Sequence, residues 1–302
     1  MYSNTRAIFA CLLAYLCFDL MAVHVRFLAA SYTAQELSVY RNVLGVLPAI
    51  ILLACTGELS FKVKAYKIKQ WRLAFGRGLL IAVAQLLLYS ALSHLELATV
   101  SALGQTVAFF IVILSIVFYR EKIGKWRWLA VIFGFIGATT IVRPGSDLFS
   151  WSALLPIGAA FCYASSTVAL RSFDKSISSA ILYLYSASAA ALGALFLAFV
   201  TTEFSTIQST RDVALIFSMS CCGGFGVVLL MYAFRNAPSS ILAPFSYFGI
   251  IYSFFFGWLI FDELPVDTLF PGVLLIIASG FTILWREQRS QKGLIKPKIP
   301  TA

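Results

Sequence analysis

Charge is scarce in this chain. Only 12% of its 302 residues are Asp, Glu, Lys or Arg, against 60% hydrophobic residues and a mean hydropathy of +0.88. A soluble domain carries about 25% charged and about 45–50% apolar residues. The charges cluster between apolar stretches of about 20 residues, the length at which a helix crosses a bilayer. The longest polar segments are residues 56–72 and the tail from Arg286, so no sizeable soluble domain remains. Cysteine pairs are missing as well. Cys11, Cys17, Cys55, Cys162, Cys221 and Cys222 form no C-x-x-C and lie in or beside apolar runs, which reads as small buried residues and not as a metal or disulfide framework. No P-loop, no H-E-x-x-H and no nucleophile–base cluster is present, which disfavours ATP-driven pumping by this chain alone and a membrane-embedded enzyme. No cofactor or metal is expected. A non-transporting sensor or assembly subunit is a further alternative, weakened by the lack of an extramembrane domain to relay a signal.

What is there is a series of apolar runs. Ten spans are expected at 7–29, 36–55, 73–92, 97–118, 126–142, 151–170, 178–200, 212–234, 240–261 and 267–285, separated by breaks such as Thr56-Gly57-Glu58, Arg143-Pro144-Gly145, Ala237-Pro238-Ser239 and Leu264-Pro265. The first run ends Leu28-Ala29-Ala30, faintly like a signal-peptidase site, but Asp19 and Arg26 argue for a permanent span. The net charge of +10 resides in short connections, a pattern that sets membrane orientation and does not call for nucleic acid. Of the 23 Lys and Arg, 18 fall on the side of the N-terminus and 4 on the other, with Arg77 inside a span. That asymmetry predicts both termini in the cytoplasm of a multi-pass inner-membrane protein.

The chain also repeats itself. SIVFYREKIGKWRW (115–128) and GWLIFDELPVDTLF (257–270) each follow an apolar run and place Glu121 and Glu263 142 positions apart. CFDLMAVHVR (17–26) aligns with CYASSTVALR (162–171) at an offset of 145, and GATTIVR (137–143) with GFTILWR (280–286) at 143. Two five-helix units follow, one in 1–145 and one in 146–302. An odd number of spans makes the second unit enter the membrane from the opposite face. Inverted repeats of this kind suit a transporter that rocks about a midplane site.

Four stretches carry a family likeness: VYRNVLGVLPAI (39–50), GRGLLIAVAQLLLYSALSHLELATVSAL (76–103), FYREKIGKWRWLAVIFGFIGATTIVRPG (118–145) and APFSYFGIIYSFFFGWLIFDELP (243–265). With them the chain resembles the drug/metabolite transporter superfamily, specifically its bacterial EamA-like members. The resemblance implies a ten-helix bundle with a central cavity lined mainly by spans 1, 3, 4, 6, 8 and 9, and with spans 5 and 10 peripheral. It also implies transport of a small organic metabolite by alternating access, in either direction.

Candidate site residues follow from polarity inside apolar spans. Asp19 lies about halfway along the first span, where a carboxylate costs about 2.5–3.5 kcal/mol on insertion scales and is a functional hypothesis by default. Its counterpart in the second unit is Ala164, so the acid is no part of a shared scaffold. It is read as binding an amine or carrying a coupled proton, or else as a packed neutral acid. Arg41 and Arg77, near the ends of spans 2 and 3, match positions where family members commonly carry arginine. They are candidate anion contacts or interface anchors, with Glu36 a local partner for Arg41. Gln85 and Tyr89, Ser101 and Gln105, and Tyr163 and Thr167 are spaced four apart and so share helix faces. With Tyr232 and Tyr247 they form a candidate substrate-binding set. His24 and His94 have no metal-ligand company and read as structural, as do Glu121 and Glu263 at span ends. Gly223, Gly224 and Gly226 are expected to permit close helix contact, and Pro244 to kink span 9. Asp19 points to a cationic group and the arginines to a carboxylate. A zwitterion satisfies both, and the chain works as a monomer or a homodimer.

Overall fold

The computed structural model describes residues 2–59, 68–120, 125–143, 150–174, 176–237, 242–279 and 281–282. Glu121, Lys62, Lys64, Lys67, Lys122, Lys175, the Pro144-Gly145 and Pro238-Ser239 breaks and the chain from 283 onward lie outside the described residues. Among the described residues there is no strand. The elements are α1 (Tyr2–Leu28), α2 (Ala34–Leu44), α3 (Val46–Cys55), α4 (Trp71–Leu92), α5 (Leu97–Gly104), α6 (Val107–Tyr119), α7 (Lys125–Val142), α8 (Leu154–Ala169), α9 (Ser179–Thr201), α10 (Thr210–Asn236), α11 (Phe248–Phe261) and α12 (Val266–Leu269), with residues 272–279 again helical. Helix is what the medium demands, because lipid offers the backbone no hydrogen-bond partners and a helix satisfies its own. Seven apolar helical stretches are long enough to cross a membrane, and the shorter apolar helices Val131–Val142 and Phe245–Phe261 accompany them. Phe196 and Phe199 are 73% and 85% exposed, an outward apolar surface that suits lipid and would be a liability in water.

Polar residues set the helix ends. Thr33 and Glu36 form a capping box at α2: the Glu36 N–H donates to Thr33 Oγ1 at 3.3 Å and the Thr33 N–H to Glu36 Oε2 at 2.7 Å. Glu36 Oε1 also accepts the Ser205 N–H at 2.5 Å. The carboxylate is fully committed there, so Glu36 is no partner for Arg41. Ser178 and Ser209 cap α9 and α10. α6 and α11 stop on left-handed residues, Arg120 (φ 51°) and Asp262 (φ 55°), which are 142 positions apart.

Four of the expected spans are broken, span 10 at Phe270-Pro271 between α12 and the helical residues 272–279. Span 2 divides into α2 and α3 at Gly45, because Pro48 has no N–H to give the Leu44 carbonyl and its ring crowds that carbonyl. Span 4 divides at Gln105-Thr106, where the Thr106 N–H reaches only as far back as Leu103 O, at 3.1 Å. Span 9 opens with a 3-10 turn over Ala243–Tyr247 that carries Pro244 in its first positions and then passes into α11. The breaks of spans 4 and 9 are joined, since Gln105 Nε2 donates to Ser246 O at 3.1 Å. Irregular backbone at membrane depth is tolerated where protein or a cavity supplies such partners.

Small residues set how closely the helices approach. α1 runs along α10, and α4 packs on α8 and α9. A Cβ on Gly224 would lie 2.2 Å from Pro48 Cγ, and one on Gly226 would lie 2.6 Å from the Phe18 ring. α9 buries Ala187, Ala189, Ala190, Ala191, Ala194 and Ala198, a stripe that lets backbones come close. At the edge, α7 meets residues 272–279 with Gly137 against the Gly272 carbonyl. Neither segment contributes to the central cavity.

Candidate functional site

The helices enclose a cavity of about 520 Å³, the size of a small-organic-molecule site. Its polar groups fall into two sets. The first comes from α1, α5 and α11: Asp19 is 7% exposed and its Oδ1 accepts a hydrogen bond from Ser253 Oγ. Gly249 keeps this corner open, because a Cβ there would sit 3.5 Å from Asp19 Oδ2 and 3.8 Å from both Ser101 Oγ and the Tyr15 ring.

The second set comes from α2, α4, α8 and α9. Arg77 Nη1 donates to Ser186 Oγ at 2.5 Å and Nε donates to Ser166 O at 3.2 Å, tying α4 to α8 and α9. Arg41 is 7% exposed; its Nη1 donates to Asn42 Oδ1 at 3.2 Å, while its Nε is buried with no partner. Gly223 makes room for this guanidinium, since a Cβ there would come within 3.2 Å of Arg41 Nε. Tyr183 Oη and Gln85 Oε1 are likewise buried without partners. Both residues line the cavity.

Of the residues singled out from sequence, Asp19, Arg41, Arg77, Gln85, Ser101, Gln105, Tyr163 and Thr167 all line this cavity. Three do not. Tyr89 is fully buried behind the wall, its hydroxyl against Met21 Sδ at 3.7 Å, because the helix turns Leu88 and Leu92 inward in its place. Tyr232 is 46% exposed on the outer side of α10, two residues and more than half a turn from the cavity-facing Leu230. Tyr247 stacks on Phe281 at 5.5 Å, since the 3-10 turn brings Gly249 and Ser253 to the cavity face. Sequence reasoning missed Tyr15, Tyr183, Ser166, Ser186 and Ser253. A serine in an apolar helix commonly bonds its own preceding turn, as Ser186 does to Leu182 O at 2.8 Å, so it gives little signal.

At the C-terminal ends of α1 and α11, Arg26 and Glu263 form a latch-like ion pair. The Arg26 guanidinium pairs with the Glu263 carboxylate, donates to Leu95 O at 2.6 Å and lies 5.0 Å over the Phe261 ring. Glu263 Oε2 accepts the Leu97 N–H at 3.2 Å and so caps α5. Burial pushes the Glu263 carboxyl above its usual range, against the downward pull of the Leu97 N–H and Arg26, with Glu96 adding to the rise. If opening this end returns the carboxyl to water, the closed state binds its proton more tightly. Acidification from the raised value toward the ordinary glutamate range therefore favours closure. Labelling of a cysteine placed at Ser93 is expected to fall across that window. Glu263→Gln, which mimics the neutral form, should make labelling low and independent of pH; an unchanged pH profile in that variant would dismiss the latch. His24 and His94 bond the Leu20 and Ser90 carbonyls at 2.5 and 2.8 Å, and among the described residues no group of three His, Cys, Asp or Glu comes together.

The sequence matches the EamA-like transporter family over residues 5–143 and again over 150–285. This chain belongs to that family. A pseudopaline exporter of Pseudomonas aeruginosa is 27% identical over 88% of this chain and 92% of its own length. A riboflavin transporter of Brucella anthropi is 28% identical over 84% and 88%, and an S-adenosylmethionine uptake transporter of Rickettsia prowazekii is 26% identical over 72% of this chain and 73% of its own length. A solved crystal structure 16% identical in sequence shares the fold, with a TM-score of 0.65 over 95% of this chain and 99% of the other. The EamA-like chain is thus an all-helical, multi-pass membrane transporter of a small molecule, and not an enzyme.

Proposed function

We propose that this transporter is a secondary carrier or exchanger that moves an amino-acid-like, zwitterionic or carboxylated metabolite across the inner membrane by alternating access. The observation that carries the reading is the cavity itself, with Asp19 and the two arginines in one apolar chamber and no ion pair between them. Protons are the candidate coupling ion, with Asp19 their carrier. Purified protein in liposomes tests the proposal: binding without flux would mark a sensor, and accumulation of labelled solute on a pH or solute gradient would support the carrier.

Alternating access calls for two halves of similar energy, here units 1–145 and 146–302 in inverted orientation. Two family matches along one chain and the paired left-handed stops at Arg120 and Asp262 support this arrangement. On this reading the 18-to-4 basic asymmetry supports both termini in the cytoplasm, and the Arg26–Glu263 pair would then face outward. A reporter active only in the cytoplasm, fused after Ala302, is expected to give signal. A silent, well-expressed fusion would reverse the orientation.

A further inference from the structure

Among the described residues the charges that line the cavity are Asp19, Arg41 and Arg77. The two arginines donate to neutral oxygens only: Arg41 to Asn42, and Arg77 to Ser166 and Ser186. Among the described residues the one ion pair is Arg26–Glu263, at the end of the bundle. Two buried or half-buried cations and one carboxylate leave the chamber with one uncompensated positive charge when Asp19 is ionised, and with two when it holds the proton that the carrier reading gives it. Buried charge is tolerated when it is paired and hydrogen-bonded. Here the three buried polar atoms without partners that belong to lining residues are Arg41 Nε, Tyr183 Oη and Gln85 Oε1. The first is a donor, the second a hydroxyl free to donate, and the third an acceptor. Tyr183 and Arg41 line the same cavity, and the unpartnered atom of each is one that an anionic group would accept from.

We propose that the ligand of this cavity is an acidic amphoteric metabolite, carrying two anionic groups and one N–H-bearing cationic group for a net charge of minus one. One anionic group meets Arg41 Nε and the Tyr183 hydroxyl. The second meets Arg77, whose guanidinium Ser166 and Ser186 hold in place. The cationic group meets Asp19, and an N–H of the ligand body donates to Gln85 Oε1. A neutral zwitterion leaves one guanidinium uncompensated, and a net cation leaves two charges unbalanced. The body that joins the groups is apolar or aromatic, since Tyr15, Phe18 and Tyr163 also line the cavity. This inference rests on the cavity being the substrate site of the proposed carrier.

The test uses full-length protein in detergent and three dipeptides matched in size: glutamyl-tyrosine, glutaminyl-tyrosine and lysyl-tyrosine, with net charges of minus one, zero and plus one. Glutamyl-tyrosine is expected to raise the melting temperature at about a tenfold lower concentration than glutaminyl-tyrosine, in line with the strength of charge-assisted hydrogen bonds. Arg41→Gln should erase that preference in favour of the neutral dipeptide, and Arg41→Lys should retain part of it. Tyr183→Phe should weaken glutamyl-tyrosine several-fold and leave lysyl-tyrosine unaffected. Equal or absent shifts across the three, or a lead for the neutral or basic member, would overturn the proposal. If Arg41→Gln does not elute as a single species, Tyr183→Phe decides, and an unchanged preference there overturns it too. Flux in liposomes is a separate readout. Transport of neutral or basic solutes without acidic preference removes the charge class and leaves the carrier standing, whereas acidic binding without flux supports the site and removes the carrier.

Discussion

Asp19→Asn is expected to produce the largest functional change of any single substitution in the cavity. The substitution keeps the volume and removes both the negative charge and the titration. Ser253 still has an oxygen to donate to, so the fold around the bond between residues 19 and 253 is retained. If the carboxylate receives the substrate's cationic group, affinity falls by roughly 1–3 kcal/mol, the range for losing a hydrogen bond to a charged group and leaving its partner buried. That is about a five- to 150-fold change in Kd. If the carboxylate carries the coupled proton, exchange of labelled substrate across the liposome membrane survives while pH-driven accumulation is lost. The two outcomes separate on one preparation, by binding and by counterflow. A monodisperse Asn variant with unaltered affinity and unaltered pH-driven uptake would reduce Asp19 to a packed neutral acid.

Gly78→Ala is expected to damage both stability and transport, although alanine is the better helix former by about 1 kcal/mol. A Cβ at position 78 would lie 2.5 Å from the Ser186 carbonyl oxygen and 2.6 Å from Ala189 Cβ. The first neighbour is helix backbone and the second is fixed to it, so neither can turn aside. α4 must then retreat from α9, at the usual overpacking cost of about 1–3 kcal/mol. The retreat also pulls Arg77 from Ser186, one residue and one hydrogen bond away. Gly76 is the control, because a Cβ there meets nothing within 4 Å. Gly76→Ala should match or exceed the parent protein's melting temperature, whereas Gly78→Ala should fall below it and transport more slowly. Equal melting temperatures for the two variants would show that α4 and α9 do not depend on this contact.

Chain chemistry by itself determined that this is a helical membrane protein, and nearly where its helices run. A bilayer imposes one length and one backbone solution on each apolar run, so scarce charge and run length suffice. Local sequence also marked the cost of proximity in advance: Gly223, Gly224 and Gly226 sit where Met21, Pro48 and Phe18 press closest on α10. Asp19 and both arginines were legible as candidate residues, and all three line the cavity, because polarity in an apolar run is rare enough to stand out.

Which aromatic and hydroxyl groups join them was decided only by tertiary structure. Tyr89, Tyr232 and Tyr247 looked as suitable as Tyr163, yet each turns out of the chamber. Membership in the wall depends on how far each helix is rotated and on the breaks at Gly45, Gln105 and Tyr247, and a helix whose outer face meets lipid and not water carries little polar–apolar contrast to reveal that rotation. Ser253 reaches Asp19 across 234 positions of chain, and Ser186 reaches Arg77 across 109. Such pairs leave no local periodicity in the sequence. They exist because glycines and alanines at the crossings let the helices come close enough for short side chains to meet.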